Sequence, residues 1–120
     1  MQLNLVYIDD EKDICEMFVD NFASAEVNVV CFAEPEIALK AIEIEVPDLI
    51  ILDFRFPLTT GYEVAERIHP SIPLAVISGD LNLHHHHRFI KFFSKPFNFA
   101  EMESFLQDQL KQKSALARPA

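Results

Sequence analysis

Apolar runs short enough for strands alternate with segments of helical period along the whole chain. Leu3-Asn4-Leu5-Val6-Tyr7-Ile8 predicts a buried strand, and after it Ile14, Phe18 and Phe22 recur at i, i+4 and i+8, one face of a helix. A second strand is predicted over Val27 to Phe32, with Val27, Val29 and Cys31 on one side and Val30 and Phe32 on the other. Pro35 suits the first turn of a helix whose inward stripe reads as Ile37, Ala38, Ala41 and Ile42. Pro47-Asp48 leads into Leu49-Ile50-Ile51-Leu52, apolar on both faces as a central parallel strand must be. Gly61 precedes a short helix carrying Val64, Ala65 and Ile68, and Pro70 and Pro73 punctuate the approach to Leu74-Ala75-Val76-Ile77, a fourth strand. Residues 89–93 predict a fifth strand. Asn98 can cap the last helix, with Glu101 placed for the reciprocal bond and Phe99, Met102, Phe105, Leu106 and Leu110 facing inward. Over residues 80–88, where a fourth crossover helix belongs, the periodicity is poor.

This alternation implies an α/β domain with a doubly wound parallel sheet, right-handed crossovers and helices on both faces. In such sheets ligands bind beyond the carboxyl ends of the strands, at the switch point. The 120 residues suffice for one domain, assigned to residues 1–113, with 114–120 expected to fray. Ten Lys and Arg against 19 Asp and Glu give a net charge of −9, which argues against binding nucleic acid, since neutralising phosphates needs a basic footprint. No apolar run reaches the ~18 residues of a membrane span and the N-terminus has no basic region ahead of an apolar one, so neither a membrane nor export is indicated. Cys15 and Cys31 lack CxxC spacing, so the expectation is neither zinc nor a disulfide framework but two small buried side chains in a reducing cytoplasm.

The residues just past the inner strands are Asp9 and Asp10, Asp53, Ser78 and Lys95, and the predicted fold brings all five to one edge. Three carboxylates gathered there repel one another, and a hard divalent cation such as Mg²⁺ resolves the conflict with oxygen ligation. Lys95 supplies a point charge toward the central carboxylate, and Ser78 a hydroxyl able to donate to a phosphoryl oxygen. A carboxylate beside a metal and a lysine can attack phosphorus in line and form an aspartyl phosphate. Gly79 leaves room where a phosphate would approach, and Gly61 ends the loop after Asp53.

Asp9-Asp10, the run from Leu49 to Asp53, Pro57 with Gly61, Ser78-Gly79 and Lys95-Pro96-Phe97 together resemble the receiver domain of two-component response regulators, the CheY-like (flavodoxin-like) fold. The resemblance covers nearly the whole chain, in order, and implies a five-stranded sheet of order 2-1-3-4-5. It further implies that Asp53 is the phosphoacceptor and that Asp9, Asp10, Asp53 and the backbone carbonyl of Arg55 hold Mg²⁺. Ser78 would be the switch hydroxyl, Phe92 the aromatic that changes rotamer, and Lys95 the lysine that senses the phosphoryl group. The phosphoryl donor would be a sensor histidine kinase or a histidine phosphotransfer protein. The output would be a change in the surface of the fourth helix, fifth strand and last helix, read by a protein target or a second copy. The chain departs from the family pattern between Ser78 and Lys95, a stretch shorter by about one helical turn, so a short or irregular fourth helix is expected. Arg55 and Asp80 occupy positions that vary in the family and tune hydrolysis; Arg55 could pair with Asp80 or shield the phosphoryl group.

Plainer readings stand beside these. Asp9 and Asp10 could cap a helix, Ser78 could be a turn residue, and Phe92 could be ordinary core. Pro96 after Lys95 suggests a fixed turn in which a cis bond is available. The run His84-His85-His86-His87 invites a metal or pH-sensing role, but consecutive residues do not converge on one face, so it reads as a solvated loop. A phosphatase of the haloacid-dehalogenase type is disfavoured because Arg55 stands where that family needs an acid. A receiver-like adaptor or dimerisation module working without phosphorylation is the principal alternative to a phosphoacceptor.

Overall fold

The computed structural model describes residues 2–79 and 88–117. The elements follow the order β1 (Leu3–Ile8), α1 (Lys12–Phe22), β2 (Val27–Phe32), α2 (Pro35–Ile44), β3 (Leu49–Asp53), α3 (Gly61–Glu66), β4 (Leu74–Ser78), β5 (Phe89–Ser94) and α4 (Phe99–Ala117). All four strand pairs are parallel and the sheet order is β2-β1-β3-β4-β5. The chain thus reverses direction across the sheet between β1 and β3, and the carboxyl ends of these two strands open side by side.

Alternation along the buried strands divides the core in two. Val6, Ile8, Ile50 and Leu52 pack with Ala38, Leu39 and Ile42 of α2 and Val64 and Ala65 of α3. Leu5, Tyr7, Leu49 and Ile51 pack on the opposite side with Phe18 and Phe22 of α1 and Met102, Leu106 and Leu110 of α4. Every residue of β3 and β4 is buried, as covering on both faces requires. The apolar run after Pro47 therefore belongs to the centre of the sheet, where it holds Asp53 on a rigid strand.

Several local expectations change. The inward face of α2 is Ala38, Leu39 and Ile42, while Ile37 is exposed. Glu36, Lys40 and Glu43 share one face of this helix, which turns Ala38 and Ile42 inward, but Ile37 and Leu39 flank that inward face on either side and the sequence alone does not choose between them. Asn98 Oδ1 accepts from the Glu101 N–H at 3.0 Å, as a cap should, but the Glu101 carboxylate lies 3.6 Å from Lys91 Nζ. Phe99, read as inward, is exposed but touches Phe22 and Phe97 at ring distances of 5.5 and 5.7 Å. The last helix continues past Lys113 to Ala117, into the stretch expected to fray. Lys113 bonds the Gln2 carbonyl and the Asp48 carboxylate, which anchors that helix beside the start of the sheet.

The cysteine reading is corrected: Cys15 on α1 and Cys31 on β2 form a disulfide. Helix packing on the neighbouring strand creates this proximity, which sequence spacing does not encode. Residues 80–87, including the core of the predicted fourth helix, Asp80 and the four-histidine run, lie outside the described residues. Among the described residues no helix is long and apolar enough to cross a membrane.

Candidate functional site

Asp9 follows β1 and is fully buried, Asp53 ends β3 with 6% of its surface exposed, and Asp10 is exposed at the rim. One carboxylate oxygen from each lies within 4.8 Å of the others. Across the strands Asp53 pairs with Ile77, so the next residue of β4, buried Ser78, continues the same edge. The Ser78 carbonyl accepts from the Lys95 N–H at 3.1 Å, which delivers Lys95 to the site as β5 ends. Lys95 Nζ then donates to Asp53 Oδ2 at 3.0 Å and stands 3.8 Å from Asp9 Oδ2. The Lys95-Pro96 peptide is cis.

Backbone and side chains hold both buried acids. The Phe54 N–H donates to Asp53 Oδ1 at 2.9 Å, and the Glu11 N–H donates to Asp9 Oδ1 at 3.0 Å. Asp9 thus secures the turn into α1, whose N-cap residue, Glu11, makes no side-chain cap bond. Gly61 lies against the end of β3: a Cβ there would stand 3.1 Å from Phe54 Cα and 3.2 Å from the Asp53 carbonyl oxygen. Among the described residues, a Cβ on Gly79 would meet nothing within 4 Å. Arg55 is two residues beyond Asp53, bridged to Thr60, with its guanidinium 5.6 Å from the Phe54 ring centroid. Phe92 is half-buried in β5 against the α2/α3 side of the core and makes an edge contact with Phe89 at 5.8 Å. It pairs in register with Val76, in a strand at the margin of the sheet.

The electrostatics follow from burial. Burial pushes Asp53 above the usual carboxylate range and the neighbouring Asp9 charge adds to this, against the opposing hydrogen bond from Lys95. For Lys95, burial acts downward, but the bond to Asp53 and the charges of Asp9 and Asp53 outweigh it and raise its pKa, so the ammonium persists. Ionised, three carboxylates and one ammonium leave about two negative charges in one small volume. Hard oxygen donors with that residual charge match a divalent cation such as Mg²⁺ in both charge and chemistry.

Sequence reading missed Tyr7. Its ring is fully buried and stacked on Phe18 at 4.2 Å, and its hydroxyl donates to Asp9 Oδ2 at 3.0 Å. Burial, then the Asp9 charge, drives this phenol far above its ordinary value, so it remains a donor. The available signal was strand periodicity, since residues two apart share a face and Tyr7 therefore points the same way as Asp9. Tyr7→Phe removes the hydroxyl that donates to Asp9 Oδ2, leaving the longer approach of Lys95, and is expected to cost ~1–3 kcal/mol in urea unfolding. An unchanged unfolding midpoint would show that the hydroxyl contributes nothing.

The chain matches a family described as the response regulator receiver domain over residues 5–107. It is 34% identical over 68 residues to the alkaline phosphatase synthesis transcriptional regulatory protein PhoP of Bacillus subtilis, an alignment covering 57% of this chain and 28% of that protein. The chain thus spans little more than a quarter of this curated relative. Its fold is similar to the signal receiver domain of an HD domain-containing protein from Pseudomonas fluorescens Pf-5, with TM-score 0.82 and 19% identity, covering 95% of this chain and 90% of that one. The chemotaxis response regulator CheY4 of Vibrio cholerae is also similar, with TM-score 0.80 and 20% identity over 91% of this chain and 99% of that one. With the family match extending from β1 into the last helix, and with the sheet order and the acidic rim on the same scaffold, the chain belongs to the response regulator receiver domains of two-component signalling.

Proposed function

We propose that Asp53 accepts a phosphoryl group from a phosphohistidine on a sensor kinase or histidine phosphotransfer protein. The observation that carries this reading is the Asp53 carboxylate, at the end of a fully buried strand, with Asp9 and Asp10 around it and Lys95 Nζ at 3.0 Å. Asp9, Asp10, Asp53 and the Arg55 carbonyl are the groups that would hold Mg²⁺. Bound there, the ion would neutralise charge on the transferring phosphoryl oxygens. An Asp53 oxygen attacks phosphorus as the phosphorus–nitrogen bond to the donor imidazole breaks, and the imidazole leaves with that electron pair. Lys95 holds the carboxylate in place and offers its ammonium to the incoming phosphoryl oxygens.

Once phosphorylated, Asp53 carries charge that Ser78 can meet by donating its hydroxyl. Phe92 then follows inward from its half-buried position and reshapes the surface near β5 and α4. The phosphoryl group acts by shifting the population between two arrangements, and a protein target or a second copy reads the result. The domain is a signalling module rather than a turnover enzyme, and we place the transfer in the cytoplasm.

Treatment with acetyl phosphate and Mg²⁺, followed by intact-protein mass measurement, tests this. One added phosphoryl group is expected in the unaltered protein and none in Asp53→Asn. Absence of any gain in the unaltered protein would overturn the phosphoacceptor reading in favour of an adaptor.

A further inference from the structure

We propose that Cys15 and Cys31 form a reversible redox modification site whose state sets how tightly the acidic rim holds a divalent cation. This rests on the reading of the rim as a cation site. The two cysteines join α1 to β2, with Cα atoms 5.9 Å apart across 16 residues of sequence. Their placement beside the rim makes the bond consequential. Cys15 Sγ lies 3.3 Å from the backbone carbonyl oxygen of Asp9 and 3.9 Å from that of Phe32. Cys31 pairs in register with Tyr7, whose hydroxyl donates to Asp9 Oδ2. Asp9 is therefore flanked by the cysteine pair twice, through its own carbonyl and through the strand that carries Tyr7.

The bond is also reachable. Cys15 and Cys31 line an open groove with Lys12, Glu16, Val19 and Asp20, and Cys31 is the less buried of the two residues. The fold does not depend on the bond alone to seat α1, because Phe18 and Phe22 anchor that helix in the core. Opening it would loosen the first half of α1 and the turn carrying Asp9 and Asp10 while leaving the sheet intact. In a reducing compartment, disulfides are characteristically transient or redox-sensing rather than structural.

A dithiol reductant supplies the chemistry. One of its thiolates attacks Cys31 Sγ, the Cys15–Cys31 bond breaks, and Cys15 leaves as a thiolate that takes up a proton. The reductant's second thiol then attacks the mixed disulfide and releases Cys31, which is protonated in turn. Two electrons pass to the protein, and the reductant ends as a disulfide; oxidation by a disulfide of higher potential reverses the exchange.

With the bond closed, the turn holding Asp9 and Asp10 is preorganised, so the oxidised protein is expected to bind Mg²⁺ about tenfold more tightly than the reduced one, the lower end of the scale of effects from groups supporting a metal site. Calorimetric titration of Mg²⁺ into the oxidised and the dithiothreitol-reduced protein reads this difference. Iodoacetamide labelling counts the thiols, with none expected before reduction and two after. Cys31→Ser is expected to bind Mg²⁺ like the reduced form and to ignore dithiothreitol. Two free thiols after treatment with oxidised glutathione, or equal Mg²⁺ affinity in both forms, would overturn the redox site alone. Failure of both forms to bind Mg²⁺ would overturn the cation reading of the rim and the redox site with it.

Discussion

Replacing Lys95 with Met is expected to slow phosphoryl uptake from acetyl phosphate by ~10²–10³-fold, the scale for losing one preorganised charge-stabilising donor at a reacting centre. The same change is expected to strengthen Mg²⁺ binding, and this opposition is the informative part. Lys95 Nζ is 3.0 Å from Asp53 Oδ2 and 3.8 Å from Asp9 Oδ2, so it competes for the carboxylate charge a cation would use. Removing the ammonium leaves three acids facing one another and makes the rim more attractive to a divalent ion. The phosphoryl group, by contrast, loses the cation that would receive its charge, and Asp53 loses the bond that fixes one oxygen. Uptake is followed by intact mass against time at saturating Mg²⁺. Affinity is measured by calorimetry, which suits a chain with no tryptophan to report binding. Uptake at the unaltered rate would show that Lys95 has no part in transfer. Weaker Mg²⁺ binding would show that it organises the rim rather than competing for it.

The parts of the site legible in the sequence are those set by chain direction. An apolar run that ends in a carboxylate, repeated at Ile8-Asp9 and Leu52-Asp53, already states that two acids leave parallel strands at one edge. The β1, β2 and α1 patterns are legible for the same reason, since short strands and one-sided helices leave little choice of face. Where apolar residues flank the inward face on both sides, as Ile37 and Leu39 do in α2, the pattern is degenerate and only packing on the sheet selects Leu39 over Ile37. Contacts between elements are harder still. The Tyr7 bond to Asp9 was within reach of strand alternation, but the meeting of Cys15 and Cys31 depends on where α1 settles on β2. Both cysteines do fall on inward positions, Cys15 with Phe18 and Phe22, and Cys31 with Val27 and Val29. Facing is thus readable where distance is not.

The site's composition sets function against stability. Lys113 bonded to Asp48 and Gln2 fastens the far end of the sheet, whereas the rim concentrates like charge that the fold alone does not neutralise. Asp9 and Asp53 are held in place by hydrogen bonds from Glu11, Tyr7 and Phe54, and the charge beside them is met by the ammonium of Lys95. Such an edge is under electrostatic load that a cation or a proton would relieve.

Mg²⁺ at about 100 times its dissociation constant is therefore expected to stabilise the domain by ~2.7 kcal/mol, a rise of about 10 °C in melting temperature for a domain of this size. Without the ion, Asp53→Asn is expected to stabilise the domain at neutral pH by ~0.5–2 kcal/mol, as relieving a strained functional site commonly does. The sign follows from Asp53, whose native pKa is raised chiefly by burial, with Asp9 adding to it. A carboxyl with a raised native pKa favours the folded state fully below its unfolded pKa, and that contribution is lost as pH rises through the raised value. The advantage of Asp53→Asn should accordingly be largest at neutral pH and shrink as the buffer is acidified through the Asp53 titration. Removing one of the clustered carboxylates should also reduce the stabilisation by Mg²⁺ relative to the unaltered protein. Thermal melts of both proteins across this pH series, with and without Mg²⁺, measure all three effects. A variant less stable than the unaltered protein at neutral pH would show that the Asp53 hydrogen bonds outweigh its burial and repulsion. An unaltered protein whose melting temperature ignores Mg²⁺ would show that Asp9, Asp10 and Asp53 do not gather around a cation.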